Sequence, residues 1–254
     1  MKVSVLASGS KGNCTYIETA QTKILIDLGT SSLYVERALK EMQVDPHDIQ
    51  AILLTHTHVD HISGLRVFLK KYHPTVYLTA IMLEELQQTV VLNDYQYIES
   101  DVMIADLSIQ PVKTSHDTGD SQGYVIESNN HSLVYLTDTG YLNVQNHSRL
   151  MDKELYIIES NHDVNLLMEG RYPFHIKQRI LGDRGHLSNE QCAYYLSKLM
   201  GIHTKQIILI HLSEDNNTEE LAYETITTML KKHAKCAQNI LISKQKERTE
   251  LIEL

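Results

Sequence analysis

The chain has 254 residues, 42% apolar and 22% charged, with a formal net charge of −9. This is ordinary globular usage, enough for a sizeable core, and no stretch approaches the ~20 apolar residues of a membrane span. The acidic balance excludes the general electrostatic footprint of a non-specific DNA binder, so a nucleic-acid substrate would need a local patch or bound cations.

The opening MKVSVLASGSKG carries one lysine and a short β-like run rather than the apolar region and cleavage site of a signal peptide. Three scattered cysteines, Cys14, Cys192 and Cys236, include no C-x-x-C pair. Together these features predict a cytoplasmic protein in a reducing compartment. Strand patterns run over 2–7, 15–19 and 23–27. Leu33, Val35, Ala38, Leu39 and Met42 then fall near the helical period. A strand over 49–54 leads into a histidine cluster; 61–72 reads as helix, 75–79 as strand and 80–90 as helix. A β-rich middle covers 101–138, with alternation at LSIQPVKTS and HSLVYLTD.

Further on, ELYIIES reads as a strand and PFHIKQRIL and SNEQCAYYLSKLM as helices, the second opened by a Ser188/Gln191 capping box. KQIILIHLS is a buried-type strand. TEELAYETITTMLKKHA is a helix with acidic residues early and lysines late, and NILIS precedes a charged tail. Repeats and linkers are absent and prolines number four, so a single domain over 1–254 is expected. Strands early and in the middle, with helices interspersed, suit two helix-covered sheets, an α/β (α+β) arrangement, better than one wound parallel sheet.

The stretch AILLTHTHVDHISGL, residues 51–65, carries most of the chemistry. His56 and His58 lie two apart on extended backbone and so point to one side. Asp60 and His61 follow where the chain turns into a helix. Imidazole with carboxylate suits zinc, manganese or iron. A polar loop with no joint role is the plainer alternative, but such a density of donors after an apolar strand is hard to obtain by composition. Four donors cannot complete two metal shells. Partners are therefore sought at the ends of later apolar runs, because strand ends gather on one rim of a sheet. His116 follows SIQPVKTS, Asp138 follows SLVYLT and His211 follows QIILI.

With Asp27 in ILIDLG at the front, this order of motifs resembles that of the metallo-β-lactamase-fold hydrolases over nearly the whole chain. The resemblance implies a four-layer αββα sandwich and two divalent cations, zinc or manganese, with iron also admitted. It implies one shell of His56, His58 and His116, a second of Asp60, His61 and His211, Asp138 as bridge, and Asp27 in support. Antibiotic-destroying members usually have cysteine or serine where Asp138 stands and are exported, so β-lactam hydrolysis is set aside.

VLASGSKGN, ESNHD and RGHLSNE are similar to the YycJ (WalJ) subgroup, associated with 5′→3′ exonuclease activity on DNA, and that subgroup is similar to PhnP phosphodiesterases and tRNase Z. This implies in-line attack on phosphorus by a hydroxide between the cations. Asp60 and Asp138 would orient it, His186 would assist the leaving oxygen, and Asn13 would brace the metal loop.

Other residues are weaker candidates for substrate contact. SGSKGN, with Ser10 and Lys11, turns N–H groups toward a phosphate or simply forms a tight turn. His162 either approaches the site or is a satisfied loop histidine. Arg184 belongs to a locally basic stretch with Arg171, Tyr172, Lys177 and Arg179, which could receive a nucleic-acid backbone or form a solvated helix face. The expected partner is DNA. A small cyclic phosphodiester or thioester is the alternative, and a metal-dependent sensor or scaffold the non-catalytic one. No membrane partner is expected, and the oligomeric state is left open, a homodimer included.

Overall fold

Side chains alternate across each strand, and the apolar ones here face both ways, so both faces of each sheet must be covered. The computed structural model describes all 254 residues. Its strands in chain order are β1 (Lys2–Ala7), β2 (Cys14–Glu18), β3 (Lys23–Ile26), β4 (Ala51–Leu53), β5 (Thr75–Leu78), β6 (Tyr95–Tyr97) and β7 (Val102–Ile104). There follow β8 (Leu107–Lys113), β9 (Gln122–Ser128), β10 (His131–Leu136), β11 (Leu155–Glu159), β12 (Gln206–Ile210), β13 (Asn239–Ile242) and β14 (Ile252–Glu253). They form two seven-stranded sheets, ordered β14-β1-β2-β3-β4-β5-β6 and β13-β12-β11-β10-β9-β8-β7.

Ile24, Ile26 and Leu53 of the first sheet meet Leu133, Tyr135, Ile157 and Ile208 of the second in a core between the sheets. The residues between them face outward. Leu25 and Ile52 pack under α1 (Ser32–Glu41), the short α2 (Val59–Ile62), α3 (Leu65–Tyr72) and α4 (Ala80–Leu86). Helices α5 (His147–Leu150), α6 (Val164–Glu169), α7 (Phe174–Leu181), α8 (Asn189–Leu199) and α9 (Glu219–Lys232) follow in the second half. Val134, Ile158 and Leu209 pack with Leu196 of α8 and Ile226 of α9. The result is an αββα sandwich, as the sequence leads one to expect. The Ser188/Gln191 capping box opens α8.

Several elements depart from the sequence pattern. The helix expected over 61–72 is two pieces, broken at Gly64, whose N–H bonds the Leu28 carbonyl at 2.9 Å. A Cβ there would lie 2.0 Å from the Thr30 carbonyl oxygen, so only glycine admits the approach. The helix expected over 80–90 stops at Leu86. Strand β6 is exposed along its length and has no buried face to reveal it. Helix α6 is six residues long and begins at an Asp163 cap, too short for a periodic signal. Strand β14 lies in the charged tail, where Ile252 alone is buried.

Strands β3 to β6 run parallel, as do β10 to β13. The residues just past their C-terminal ends gather on one rim, the usual place for a ligand beside parallel strands. Asp27, Asp138 and His211 turn the chain there with φ of 58°, 49° and 56°. That left-handed backbone costs most residues about 1 kcal/mol or more, and Asp and His are among those that accept it.

Candidate metal centre

Strand β4 delivers the histidine cluster to the rim. The backbone stays extended through His58, at ψ 151°, and α2 begins at once, so Asp60 and His61 occupy its first turn. The His56 and His58 rings lie 4.7 Å apart, centroid to centroid. His116 comes from the β8–β9 connection, Asp138 from the turn after β10 and His211 from the end of β12.

These side chains fall into two sets of three that share no residue. The donor atoms of His56, His58 and His116 lie within 4.8 Å of one another, and so do those of Asp60, His61 and His211. Asp138 stands between the sets. Its Oδ2 is 3.2 Å from His61 Nε2, and its Oδ1 is 3.7 Å from His116 Nε2 and 3.2 Å from His211 Nδ1.

The sets have the chemistry of cation sites. His56 Nε2 and His211 Nε2 are buried without any hydrogen-bond partner, a costly state for ring nitrogens that an ion would relieve. His116 Nε2 and His58 Nδ1 are 3.3 Å apart. Two nitrogens bonded tetrahedrally to one zinc at 2.0–2.1 Å would be separated by about the same distance.

Glu159, the last residue of β11, is a residue of the site that the sequence reading missed. It is fully buried. It accepts from His186 Nδ1 at 2.7 Å, His211 Nδ1 at 2.9 Å, Leu187 N at 3.1 Å and Thr139 N at 3.2 Å. A signal existed, because Glu159 closes the apolar run LYIIE just as His211 closes QIILI. Asp138, Glu159, His186 and His211 also cluster, but contacts of 2.7 and 2.9 Å are those of shared protons rather than of donors spread around an ion.

Burial pushes the Glu159 carboxyl up. The His186 charge and the bonds from His186 and His211 outweigh burial and bring it down to about 2. Burial lowers His186, but Glu159 and then Asp138 raise it to about 9. Asp138 is buried yet held well below the usual carboxylate range, chiefly by His211 and His61.

The pH dependence of the metal-free protein follows. The His186 contribution is fully present below its unfolded value near 6.5 and is lost as pH rises through about 9. The Glu159 contribution is present above about 4.5 and is lost as pH falls toward about 2. Urea midpoints of metal-free protein should therefore peak between those limits and fall on both sides.

The supporting residues are close. Asp27 Oδ2 is 2.7 Å from His61 Nδ1, and Asp27 also accepts from the Thr55 N–H and hydroxyl, both at 2.8 Å. Asn13 Nδ2 lies 2.9 Å from His61 Nε2 and 3.3 Å from the Asp60 carbonyl oxygen, and its N–H donates to that carbonyl at 2.8 Å. Gly29 passes so near this loop that a Cβ would sit 1.6 Å from the Asp60 carbonyl oxygen. Gly29→Ala should displace Asp60 and His61 and weaken cation binding about tenfold or more, read by chelator competition, with far-UV circular dichroism retained.

The other candidates lie outside both sets. Ser10 is exposed, and Lys11 is paired with Glu214. His162 is buried, its Nδ1 3.3 Å from Asn161 Oδ1, and burial lowers it to about 4. Arg184 donates to the carbonyls of His116 at 3.0 Å and Thr118 at 2.9 Å. Of its basic stretch, Lys177 donates to the Met168 carbonyl, Arg179 pairs with Asp117, and Tyr172 bonds Asp215.

Residues 22–212 match the model of a β-lactamase superfamily domain. The chain is 38% identical over 236 residues to exodeoxyribonuclease WalJ of Streptococcus pneumoniae, covering 90% of this chain and 88% of that one. It is 38% identical over 232 residues to exodeoxyribonuclease YycJ of Bacillus anthracis, covering 89% and 88%. Among solved structures it is similar to the metallo-β-lactamase-fold protein YhfI of Bacillus subtilis, with a TM-score of 0.73, 16% identity and 98% of each chain covered, a likeness of fold.

Proposed function

Because the chain belongs to the β-lactamase superfamily, we propose that it is a metal-dependent phosphodiesterase acting as a 5′→3′ DNA exonuclease. Its main support is the meeting of two donor sets around one carboxylate, Asp138. DNA as substrate rests on the two exodeoxyribonuclease relatives. His56, His58 and His116 would hold one divalent cation and Asp60, His61 and His211 a second, with the Asp138 carboxylate between the two donor sets. Zinc, manganese and iron all fit these nitrogen and oxygen donors. A cation pair in such a site neutralises phosphate charge and lowers the pKa of water.

The remaining work falls to side chains. Asp60 and Asp138 orient the attacking water. Glu159 fixes His186 through Nδ1 and favours the protonated ring, and His186 Nε2, which makes no hydrogen bond within the protein, would give its proton to the leaving oxygen. Asn13 and Asp27 hold His61 in place. No helix is long and apolar enough to cross a membrane; three free cysteines accord with a cytoplasmic location.

A second reading, a small phosphodiester as substrate, is favoured by one observation. The cations of the 171–184 stretch are largely engaged within the protein, which leaves little basic track for a long polyanion. DNA labelled separately at each end, incubated with defined metals, separates the two. Early release of 5′-labelled mononucleotides supports the exonuclease. Turnover of bis(p-nitrophenyl) phosphate with intact DNA supports the small substrate. No turnover of either with cations bound overturns both.

A further inference from the structure

Four of the five histidines in the two donor sets are held alike. Each presents Nδ1 to an oxygen behind it: His56 to Thr55 Oγ1 at 3.0 Å, His61 to Asp27 at 2.7 Å, His116 to the Gly185 carbonyl at 3.1 Å and His211 to Glu159 at 2.9 Å. Nε2 is thereby turned to the centre, where that of His61 also has Asn13 Nδ2 at 2.9 Å. His58 is reversed. Its Nδ1 faces His116 Nε2 at 3.3 Å, so its Nε2 is the outer nitrogen.

The outer nitrogen has an oxygen within 4 Å. Asp117 Oδ1 lies 3.9 Å from His58 Nε2 and 3.5 Å from His116 Nε2. That oxygen is buried and has no hydrogen-bond partner, although the other carboxylate oxygen of Asp117 is tied to Arg179 of α7. His116 already gives its Nδ1 to the Gly185 carbonyl and turns Nε2 to the centre, so the ring N–H left for this buried acceptor is that of the outer nitrogen of His58.

We propose that Asp117 is the positioning residue of His58: it takes the Nε2–H and so fixes the tautomer in which Nδ1 meets the cation. Arg179 holds Asp117 in place for this task. The inference rests on His56, His58 and His116 being a cation site. An outer carboxylate of this kind orients the ring and raises its basicity, and its loss typically costs 10–100-fold in metal affinity. The competing role is an anchor for α7, in which Asp117 serves only Arg179.

Zinc-loaded protein labelled with ¹⁵N tests this directly. Long-range proton–nitrogen spectra should show His58 protonated at Nε2 and the other four histidines at Nδ1. Chelator competition then follows on D117A, D117N and R179A. The unaltered protein should bind two zinc ions. D117A should weaken one of them about 10–100-fold. D117N, which keeps an acceptor oxygen, and R179A should each lose less. His58 found protonated at Nδ1, unchanged affinity in D117A, or equal losses in D117A and R179A would each overturn the proposal. Failure of zinc to bind the unaltered protein would overturn the cation reading and this inference together.

Discussion

His186→Ala should lower turnover by about 10²–10⁴ while leaving both cations bound, the range expected for losing a positioned general acid. The ring lies outside both triads. It is joined to Glu159 through Nδ1 at 2.7 Å, and its side chain keeps 21% exposure on the open side of the site. Removing it takes away a proton donor and no donor atom of either triad. Steady-state rates set against metal content by mass spectrometry check this. A parallel loss of metal and rate would make His186 a ligand instead.

The second large effect belongs to Glu159. Its carboxylate is fully buried and accepts two ring N–H groups and two backbone N–H groups. Glu159→Ala should cost about 3–5 kcal/mol in the metal-free protein, as breaking a buried ionic contact does. It should also weaken the second cation, because His211 would lose the oxygen that fixes its ring. Glu159→Gln keeps the shape and one acceptor oxygen, so its loss should be smaller. Urea unfolding and zinc stoichiometry measure both. An Ala variant as stable as the parent, with two zinc ions, would contradict the role given to Glu159.

Both residues show what the sequence made legible and what it did not. Sheet strands were readable because Ile, Leu and Val alternate between two buried faces. The rim was readable because donors end apolar runs, as with His116, Asp138 and His211. Glu159 obeyed the same rule but sat in a motif where His162 drew the eye, and His162 is buried away from both donor sets. Asp117 gave no signal, because the role proposed for it depends on the reversed ring of His58, a matter of rotamers. The basic stretch shows a related limit. Lysine and arginine look free in a sequence, yet Lys177, Arg179 and Arg184 are engaged by a carbonyl, a carboxylate and two carbonyls respectively. Pairing of this sort belongs to tertiary structure.

The left-handed turns at Asp27, Asp138 and His211 narrow what a mutational library can recover. Glycine would suit the backbone and bring no donor. Glutamate would bring the carboxylate and resist the conformation. At Asp27 and Asp138, asparagine accepts the turn, keeps the side-chain shape and discards the charge. A folded, cation-poor reference protein is therefore best made with asparagine at one of those two positions, and Asp→Glu exchanges there should be purged almost as strictly as Asp→Leu.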